Sequence, residues 1–479
     1  MIDILSKYQD LREWIKLINE FGELRFIQGA SPELEIGTIT DIVCHSNRRD
    51  AILFEDIPGY SKTCRILVNP LGSIKRLALT LGLKAEKIKD LIDQLAFKIS
   101  SLNPIPPIEV NYGPILENQI FGNNIDINKF PAPHWHPKDG GRYIGTGSIT
   151  ITRDPEEGWV NLGTYRVMII DKDKLSFYIS PGKHGRIHRD KYFNTKKSCP
   201  VAISFGHDPL LFFVGAMEWP YGESEYDIAG GFKGSPIEII KGKFTGLPLP
   251  ARAELVIEGE AIPGDYSSEG PFGEWTGYYA SGVREEVTIK IKAIYHRNDP
   301  IILGAPALKP PNGNSFFGAI FRSAKLKRDF QLNGTPGIVD VWFPEEGGGR
   351  LLCIVSIKQL YPGHAKQVGL LAMANPSSAY MGRYVIVVDD DIDVTNLGDV
   401  IWAVLTRSDP IKDIDVIRRL WSGPLDPILT KEDCNQSSRA IIDACRPFER
   451  ISNFPSVIDI DQETKNRVLK KWGDIINKS

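Results

Sequence analysis

The sequence carries none of the short signatures that mark the commonest nucleotide-binding and hydrolytic enzymes. No Walker loop, GxSxG elbow or HExxH occurs, and no GxGxxG opens a helix after a strand. The stretch "GGGR" at 347–350 follows two glutamates and reads as a turn. Six cysteines (Cys44, Cys64, Cys199, Cys353, Cys434, Cys445) are scattered without a CxxC pair, which argues for free thiols in a reducing compartment and against a disulfide frame or zinc knuckle. Long apolar runs are missing: "PLLFFVGAM" at 209–217 is far too short to span a bilayer. The opening "MIDILSKYQDLREWIKLINEF" is charged throughout and lacks the apolar core of a signal peptide, so a cytoplasmic protein without a membrane partner is expected. Charge of one sign is missing too. A net charge of −3 with dispersed Lys and Arg excludes nucleic acid as the expected partner.

What remains is ordinary globular composition, 42% hydrophobic and 24% charged over 479 residues, enough for two to four domains. Leu5, Tyr8, Leu11, Trp14, Ile15, Ile18 and Phe21 recur at helical spacing and predict an amphipathic opening helix. A second helical stretch covers about 73–102, broken near Gly82, and "AILFED" and "CRILVN" read as buried strands between the two. A proline-rich linker without helical period leads out of this α/β unit. From Tyr143 the texture becomes β: "YIGTGSITITRD" and "WVNLGTYRVMIID" flank the turn "PEEG", and "KLSFYISP", "CPVAISFG", "ELVIEGEAI" and "EEVTIKIKAIYH" follow. One helix is expected near 208–217, and so many strands with so few helices suggest a barrel. After Ala305 α/β texture returns. "GIVDVWF", "LLCIVSI" and "YVIVVDD" are strand-like, "HAKQVGLLAMA" and "LGDVIWAVLTR" helical, and "DQETKNRVLKKWGDII" a closing amphipathic helix.

Chemistry-bearing side chains concentrate in the β region. "SSEGPFGEWTGYY" sets Glu269 and Glu274 around a Gly-Pro-Phe-Gly centre that cannot be helical, and a folded-back loop could aim both acids into one pocket. "NLGTYR" places Asn161 and Arg166 at opposite parity, so both serve one site only across a bulge or strong twist at Gly163. "SPGKHGRIHRD" offers His184 and His188 in a glycine-flanked loop, and "YGESEYDIAGG" offers Glu223, Glu225 and Asp227. Amide, imidazole and carboxylate together suit Mn²⁺ or Mg²⁺. Each segment also has a bland reading: two solvated glutamates in a turn, a surface ion pair for Arg166, a solvated His188 beside Arg186 and Arg189, a polar loop at Glu223 and Asp227.

Taken in order, "GTGSIT" (145–150), "NLGTYR" (161–166), "PGKHG" (181–185), "EYDIAGGFKG" (225–234) and "EGPFGEWTGYY" (269–279) closely resemble the UbiD family of decarboxylases, and "VVDDDIDVTNLGDVIWAVLTRSDP" resembles that family's C-terminal domain. The resemblance runs from about Arg142 to Arg407, with looser similarity towards both ends. It implies an α+β multi-domain chain: an N-terminal α/β domain over 1–115, a flavin-binding split β-barrel over 116–304, and a C-terminal α/β domain with oligomerisation role and closing helix over 305–479. It implies a reversible, non-oxidative decarboxylase that uses prenylated FMN on an unsaturated, aromatic or heteroaromatic acid. CO₂ is the co-product or co-substrate, a flavin prenyltransferase the cofactor supplier, and a homo-oligomer (dimer or hexamer) the assembly.

Carried over by residue, Asn161, His184 and Glu225 would bind Mn²⁺ (or Mg²⁺), and K⁺ would sit on Glu225 with Val214, Gly215 and Met217, closed by Arg407. Thr146, Gly163, Thr164, Arg166 and Lys183 would contact the cofactor, with Lys358 or Lys366 on its phosphate. Arg166, Glu269 and Glu274 would form the catalytic network: Glu274 the acid, Glu269 the one close ion-pair partner of Arg166. Trp275, Lys183, Asn312, Asn314 and Phe316 would line the substrate pocket. Two other readings remain open from sequence: a flavin-dependent oxidoreductase with unmodified flavin, and a non-catalytic subunit of a carboxylase complex.

Overall fold

Alternating apolar residues on either side of "PEEG" build the centre of the molecule, which this computed structural model describes over residues 8–476. Leu5, counted above in the opening helix, lies outside the described residues. Strands Ile149–Arg153 and Val160–Gly163 pair antiparallel across the turn. From Val160–Gly163 the sheet runs through Ile149–Arg153, Cys199–Gly206, Leu255–Glu269, Arg284–His296, Lys174–Ser176, Val167–Asp171 and Tyr143–Gly145, with Asn118–Phe121 added on Arg284–His296. It curls into a half-barrel whose inward residues, such as Ile203, Ile257 and Ile289, are fully buried.

Two expected long strands are each divided. "YIGTGSITITRD" gives Tyr143–Gly145 and Ile149–Arg153, and "WVNLGTYRVMIID" gives Val160–Gly163 and Val167–Asp171. Residues 164–166 therefore cross from one end of the curled sheet towards the other. Gly163 permits the break, because a Cβ there would lie 2.2 Å from the Tyr165 hydroxyl that folds back beneath the strand end. Asn161 and Arg166 thus belong to different strand systems, and the parity objection disappears.

The half-barrel is flanked by two α/β layers. The first sheet orders Leu24–Gln28, Ala51–Glu55, Arg65–Val68 and Ile301–Gly304, so a strand that follows the barrel in sequence completes a sheet that precedes it. Helix Leu11–Glu20 covers this region with Leu11, Trp14, Ile15 and Ile18, and Asp10 caps it by accepting from the Glu13 N–H. Helices Ile74–Leu81 and Ile88–Ser100 follow, the first ended by Gly82 in the left-handed region at φ 62°. The last sheet orders Ile338–Trp342, Leu352–Ile357, Tyr384–Asp389, Gln436–Ala444 and Ile414–Trp421, its central three strands parallel. Helices His364–Ala374, Leu397–Arg407 and Gln462–Ile476 stand where helical spacing expects them.

Several helices were not anticipated, among them Glu35–Cys44 and the short Pro376–Ala379. His184–Asn194 and Glu225–Lys233 replace what read as loops, and Gly313–Leu332 emerges where "KPPNGN" shows no helical period. The last begins with a reciprocal cap between Asn312 and Ser315, which ends the influence of the prolines before it. Among the described residues no helix is long and apolar enough to cross a membrane.

Candidate active site

The site assembles where residues 164–166 cross the opening of the curled sheet. Glu269 is the last residue of strand Leu255–Glu269, paired in register with Arg284, and is fully buried. The hairpin loop beyond it turns back through hydrogen bonds from the Glu274 N–H to the Tyr278 carbonyl and from the Gly277 N–H to the Glu274 carbonyl. Glu274 is thereby returned to the side of Glu269. A close approach fixes the loop's base: a Cβ on Gly140 would sit 1.9 Å from the Gly270 carbonyl oxygen.

Arg166 lies between the two acids. Its Nε and Nη2 donate to the two oxygens of Glu269 at 2.9 Å each, and its Nη1 donates to Glu274 Oε1 at 2.7 Å. The expectation that Arg166 closely pairs with only one acid is corrected: guanidinium has donors on two edges and uses both. The two acids are nevertheless unequal. Glu269 receives the two-pronged fork and also a hydrogen bond from the Tyr143 hydroxyl at 2.9 Å, with Arg284 Nε 3.8 Å from its other oxygen. Glu274 receives one bond from Arg166. Burial raises its pKa above the ordinary carboxylate value, Arg166 opposing and Glu269 adding to the rise. Arg166 is further fixed over the rings of Tyr178 at 4.5 Å and Phe272 at 5.6 Å, and Arg284 stacks on Tyr178 at 4.2 Å. An acid of raised pKa beside a fixed cation in a cavity can deliver a proton to a bound anion.

The cavity in front of this network has a volume of about 320 Å³. Trp275, Lys183, Asn312 and Asn314, expected at the substrate pocket, line it, together with Thr146, Thr164, Arg166, Met217 and Glu274. Phe316 does not; it is packed in the core with Phe317 and Ile320. Asn312 is held as the helix cap, and Asn314 Nδ2 reaches the carbonyls of Ala305 and Pro306 at 3.4 Å. Thr146 Oγ1 accepts from the Ala305 N–H at 2.9 Å, whereas Thr164 Oγ1 is buried without a partner.

Behind the crossing, Tyr165 meets one side chain and one backbone N–H and lies within the field of a carboxylate. Its hydroxyl lies 3.5 Å from Asn161 Nδ2, accepts from the N–H of Gly185 at 3.2 Å, and feels the charge of Glu225. Gly185 neighbours His184 at the start of helix His184–Asn194. Glu225 accepts from the Leu162 N–H at 2.7 Å, and burial pushes its pKa up to about 8, only partly offset by backbone N–H groups. The His184 ring packs edge-on against Trp159 and Tyr221, and a buried carboxyl so poorly compensated, with amide and imidazole donors on neighbouring segments, has the chemistry that suits a hard or borderline cation. The residues present fit a divalent ion.

For a monovalent ion the carbonyls at 214, 215 and 217 are partly engaged. Val214 O accepts from Trp219 Nε1 at 2.9 Å and Gly215 O from the Thr164 N–H at 3.1 Å. Arg407 does not join them. It is taken up by Asp389 and Asp391 in the C-terminal sheet and does not line the cavity. Lys358 is exposed at the end of strand Leu352–Ile357, and Lys366 pairs with Asp415; neither lines the cavity.

His188, which read as solvated, is fully buried: its Nδ1 lies 3.0 Å from Thr152 Oγ1, its ring packs edge-on to Trp159, and burial pushes its pKa down to about 4. The ring of His184, one turn earlier in the helix, packs edge-on to the same Trp159. Sequence reasoning missed Tyr143, Tyr178, Arg284, Arg322 and Arg350. Of these only Tyr143 gave a signal, standing three residues before Thr146 in "YIGTGS".

Three segments match the domains of one family described as 3-octaprenyl-4-hydroxybenzoate carboxy-lyase: the N-terminal domain at 15–95, the Rift-related domain at 108–310 and the C-terminal domain at 315–444. An uncharacterized protein of Aquifex aeolicus (strain VF5) is 34% identical over 489 residues, covering 97% of this chain and 98% of that one. The vanillic acid decarboxylase of Sedimentibacter hydroxybenzoicus in its closed form is 30% identical with a TM-score of 0.82, over 97% of this chain and 98% of that one. The UbiD-class enzyme HmfF of Pelotomaculum thermopropionicum, in complex with FMN, is 26% identical with a TM-score of 0.84, over 95% and 98%.

Proposed function

Since the chain belongs to the UbiD family of carboxy-lyases, we propose that it is a reversible, non-oxidative decarboxylase of an unsaturated, aromatic or heteroaromatic acid, with prenylated FMN as its cofactor. The observation that carries this reading is the unequal grip of Arg166 on two acids, Glu269 buried behind it and Glu274 beside it in the wall of a cavity. Loss of CO₂ from an sp² carbon leaves a charge no side chain can absorb, and the modified flavin supplies that electron sink when bound.

The chain's own residues do the rest. Arg166 provides the positive charge that admits a carboxylate beside two glutamates. Glu269, held by Arg166 and Tyr143, fixes the guanidinium so that Nη1 stays on Glu274. Glu274 keeps its proton to higher pH than an ordinary carboxyl and gives it to the carbon from which CO₂ has left. In the carboxylating direction the same oxygen accepts that proton. Trp275 and Phe272 border the acid and shield it from water.

Asn161, His184 and Glu225 would hold Mn²⁺ or Mg²⁺ against the cofactor phosphate, with Gly163, Thr164, Thr146 and Lys183 contacting the cofactor and K⁺ on carbonyls at 214, 215 and 217. The reading keeps the three-domain division at 1–115, 116–304 and 305–479, a homo-oligomeric assembly, and a flavin prenyltransferase as supplier. The test is co-expression with such a prenyltransferase, followed by mass and absorbance of the released cofactor and CO₂ release from aromatic acids. Full decarboxylation with plain FMN alone defeats the cofactor assignment. Metal analysis of His184→Ala and Glu225→Ala is its companion: if both keep full metal and full flavin, the cation site is elsewhere.

A further inference from the structure

The cavity has a second cationic end that its own carboxylates do not neutralise. Arg322 from helix Gly313–Leu332 and Arg350 from the turn before strand Leu352–Ile357 line the same cavity as Arg166, together with Lys183. Glu218 is the carboxylate that serves them, accepting from Arg350 Nη2 at 3.1 Å and Lys183 Nζ at 3.3 Å. Arg322 has no carboxylate in hydrogen-bond reach among the described residues. Its Nη1 meets only the Gly318 and Gly349 carbonyls at 3.3 Å, and its Nε is buried without a partner. The residue is 7% exposed, and burial, aided by the neighbouring charge of Arg350, pushes its pKa down to about 9. The charge of Glu218 opposes that fall but is shared with Arg350 and Lys183, and a buried guanidinium so thinly compensated is costly unless an anion joins it.

Position says which anion. Arg350 stacks 5.5 Å over Trp275, the residue after the acid Glu274, and 5.4 Å from Tyr380, whose hydroxyl feels the charge of both Arg350 and Glu274. The cationic end therefore lies alongside the reacting acid. The cofactor phosphate has a separate candidate anchor around Asn161, His184 and Glu225.

We propose that the substrate carries a second carboxylate, which Arg322 and Arg350 hold while the first is presented to Arg166 and Glu274. The substrate class is thus an aromatic or heteroaromatic dicarboxylate. One carboxylate leaves as CO₂, a proton from Glu274 takes its place on the ring carbon, and the second carboxylate remains on the product with its charge unchanged. The planar fork of arginine matches a carboxylate through two parallel hydrogen bonds, which a neutral ring substituent cannot accept. The assignment of which carboxylate leaves rests on the decarboxylase reading; the binding of the second does not.

The experiment is calorimetric titration of the full-length, flavin-loaded protein with benzoate, benzene-1,3-dicarboxylate and benzene-1,4-dicarboxylate. A charge-assisted pair is expected to make at least one diacid bind roughly 10–100-fold tighter than benzoate. Arg322→Gln should abolish that preference while benzoate binding is kept, and Arg322→Lys should restore part of it. Should Arg322→Gln not fold, Arg350→Gln carries the same test with a smaller loss. Equal binding of benzoate and both diacids by the wild type overturns the proposal, as does a preference untouched in the Gln variants. It is also overturned if Arg322→Gln instead loses discrimination between FMN and riboflavin, since the arginine then serves the cofactor phosphate. CO₂ release, read in parallel, bears on the decarboxylase reading alone: an Arg322-dependent diacid preference stands without it.

Discussion

Among the arginines that lie between two carboxylates, one beside the half-barrel and one in the C-terminal sheet invite comparison. Arg166 bridges Glu269 and Glu274; Arg407 bridges Asp389 at 3.0 Å and Asp391 at 2.8 Å. By residue type the two clusters are alike, and their surroundings set them apart. Asp389 is buried but oversupplied, accepting also from the Arg446 backbone N–H, Arg446 Nε and Gln359 Nε2. Asp391 is pulled below the ordinary carboxylate value, chiefly by its hydrogen bond from Arg407. Glu274 moves the other way, raised by burial although Arg166 opposes it. A carboxylate held charged by its partners is a fastening, whereas one whose burial outweighs its partner is a proton reservoir. Only the latter faces a cavity.

The largest expected break in this comparison is Glu274→Gln, which keeps shape and removes the titrating proton. Turnover should fall ~10²–10⁴-fold, with cofactor binding retained and deuterium exchange at the product carbon lost in D₂O. Exchange at the wild-type rate would move the acid's role to Glu269. In the other cluster, Arg407→Met leaves Asp389 buried with fewer donors and should lower stability by up to ~3–5 kcal/mol, the range for breaking a buried pair. Rate per folded molecule should not change. A chemical-denaturation midpoint that stays put, or a kcat that drops, would erase the distinction between fastening and reservoir.

Tyr143→Phe sharpens the comparison within the first cluster. It withdraws one donor from Glu269 and leaves the Arg166 fork, so a loss of about 1 kcal/mol is expected. If the phenol positions Arg166, the loss should fall on kcat with KM kept. A loss in KM alone contradicts that role. The smallest effect concerns pH. Asp391 has a folded pKa below its ordinary 3.8, so it adds stability above that value and loses it as pH falls through it towards the folded pKa. Asp391→Asn should therefore melt slightly lower than wild type near neutrality, with the gap closing in acid. Glu274 has the opposite sign: protonation is favoured in the folded state, so its contribution declines as pH rises through the raised pKa. Catalysis that needs the protonated acid should decline on that same alkaline side.

Local pattern made much of this legible. The "PEEG" hairpin, the helix at 209–216, the strands Ile338–Trp342, Leu352–Ile357 and Tyr384–Asp389 and the helices His364–Ala374, Leu397–Arg407 and Gln462–Ile476 follow from period and turn chemistry, because there each segment's preference agrees with its packing. What failed did so where a few residues decide. Gly163 ends a strand only because Tyr165 folds beneath it, a contact invisible in one dimension. Prolines and glycines before Asn312 hid a helix of 20 residues whose cap was nonetheless written as Asn-Gly-Asn-Ser. The acids at 269 and 274 and Arg166 were legible as a set, and their unequal pairing was not, since it depends on which edge of the guanidinium each meets. Arg407 was misplaced because its motif resembles a site while its neighbours saturate it.

The strand Ile301–Gly304, which pairs parallel with Arg65–Val68, has a consequence for the order in which the chain can be made. A ribosome releases the first three strands of that sheet long before it reaches the fourth, so the nascent sheet waits with an apolar edge, Ile66 to Val68, unpaired. The entire half-barrel must emerge before that edge is closed. The amino-terminal layer is therefore not an independent folding unit but a socket finished from behind, and its contacts span well over two hundred positions of chain. A chain interrupted within the barrel would carry an exposed template for strand addition, which makes the interval between residues 68 and 301 the period of greatest need for a chaperone.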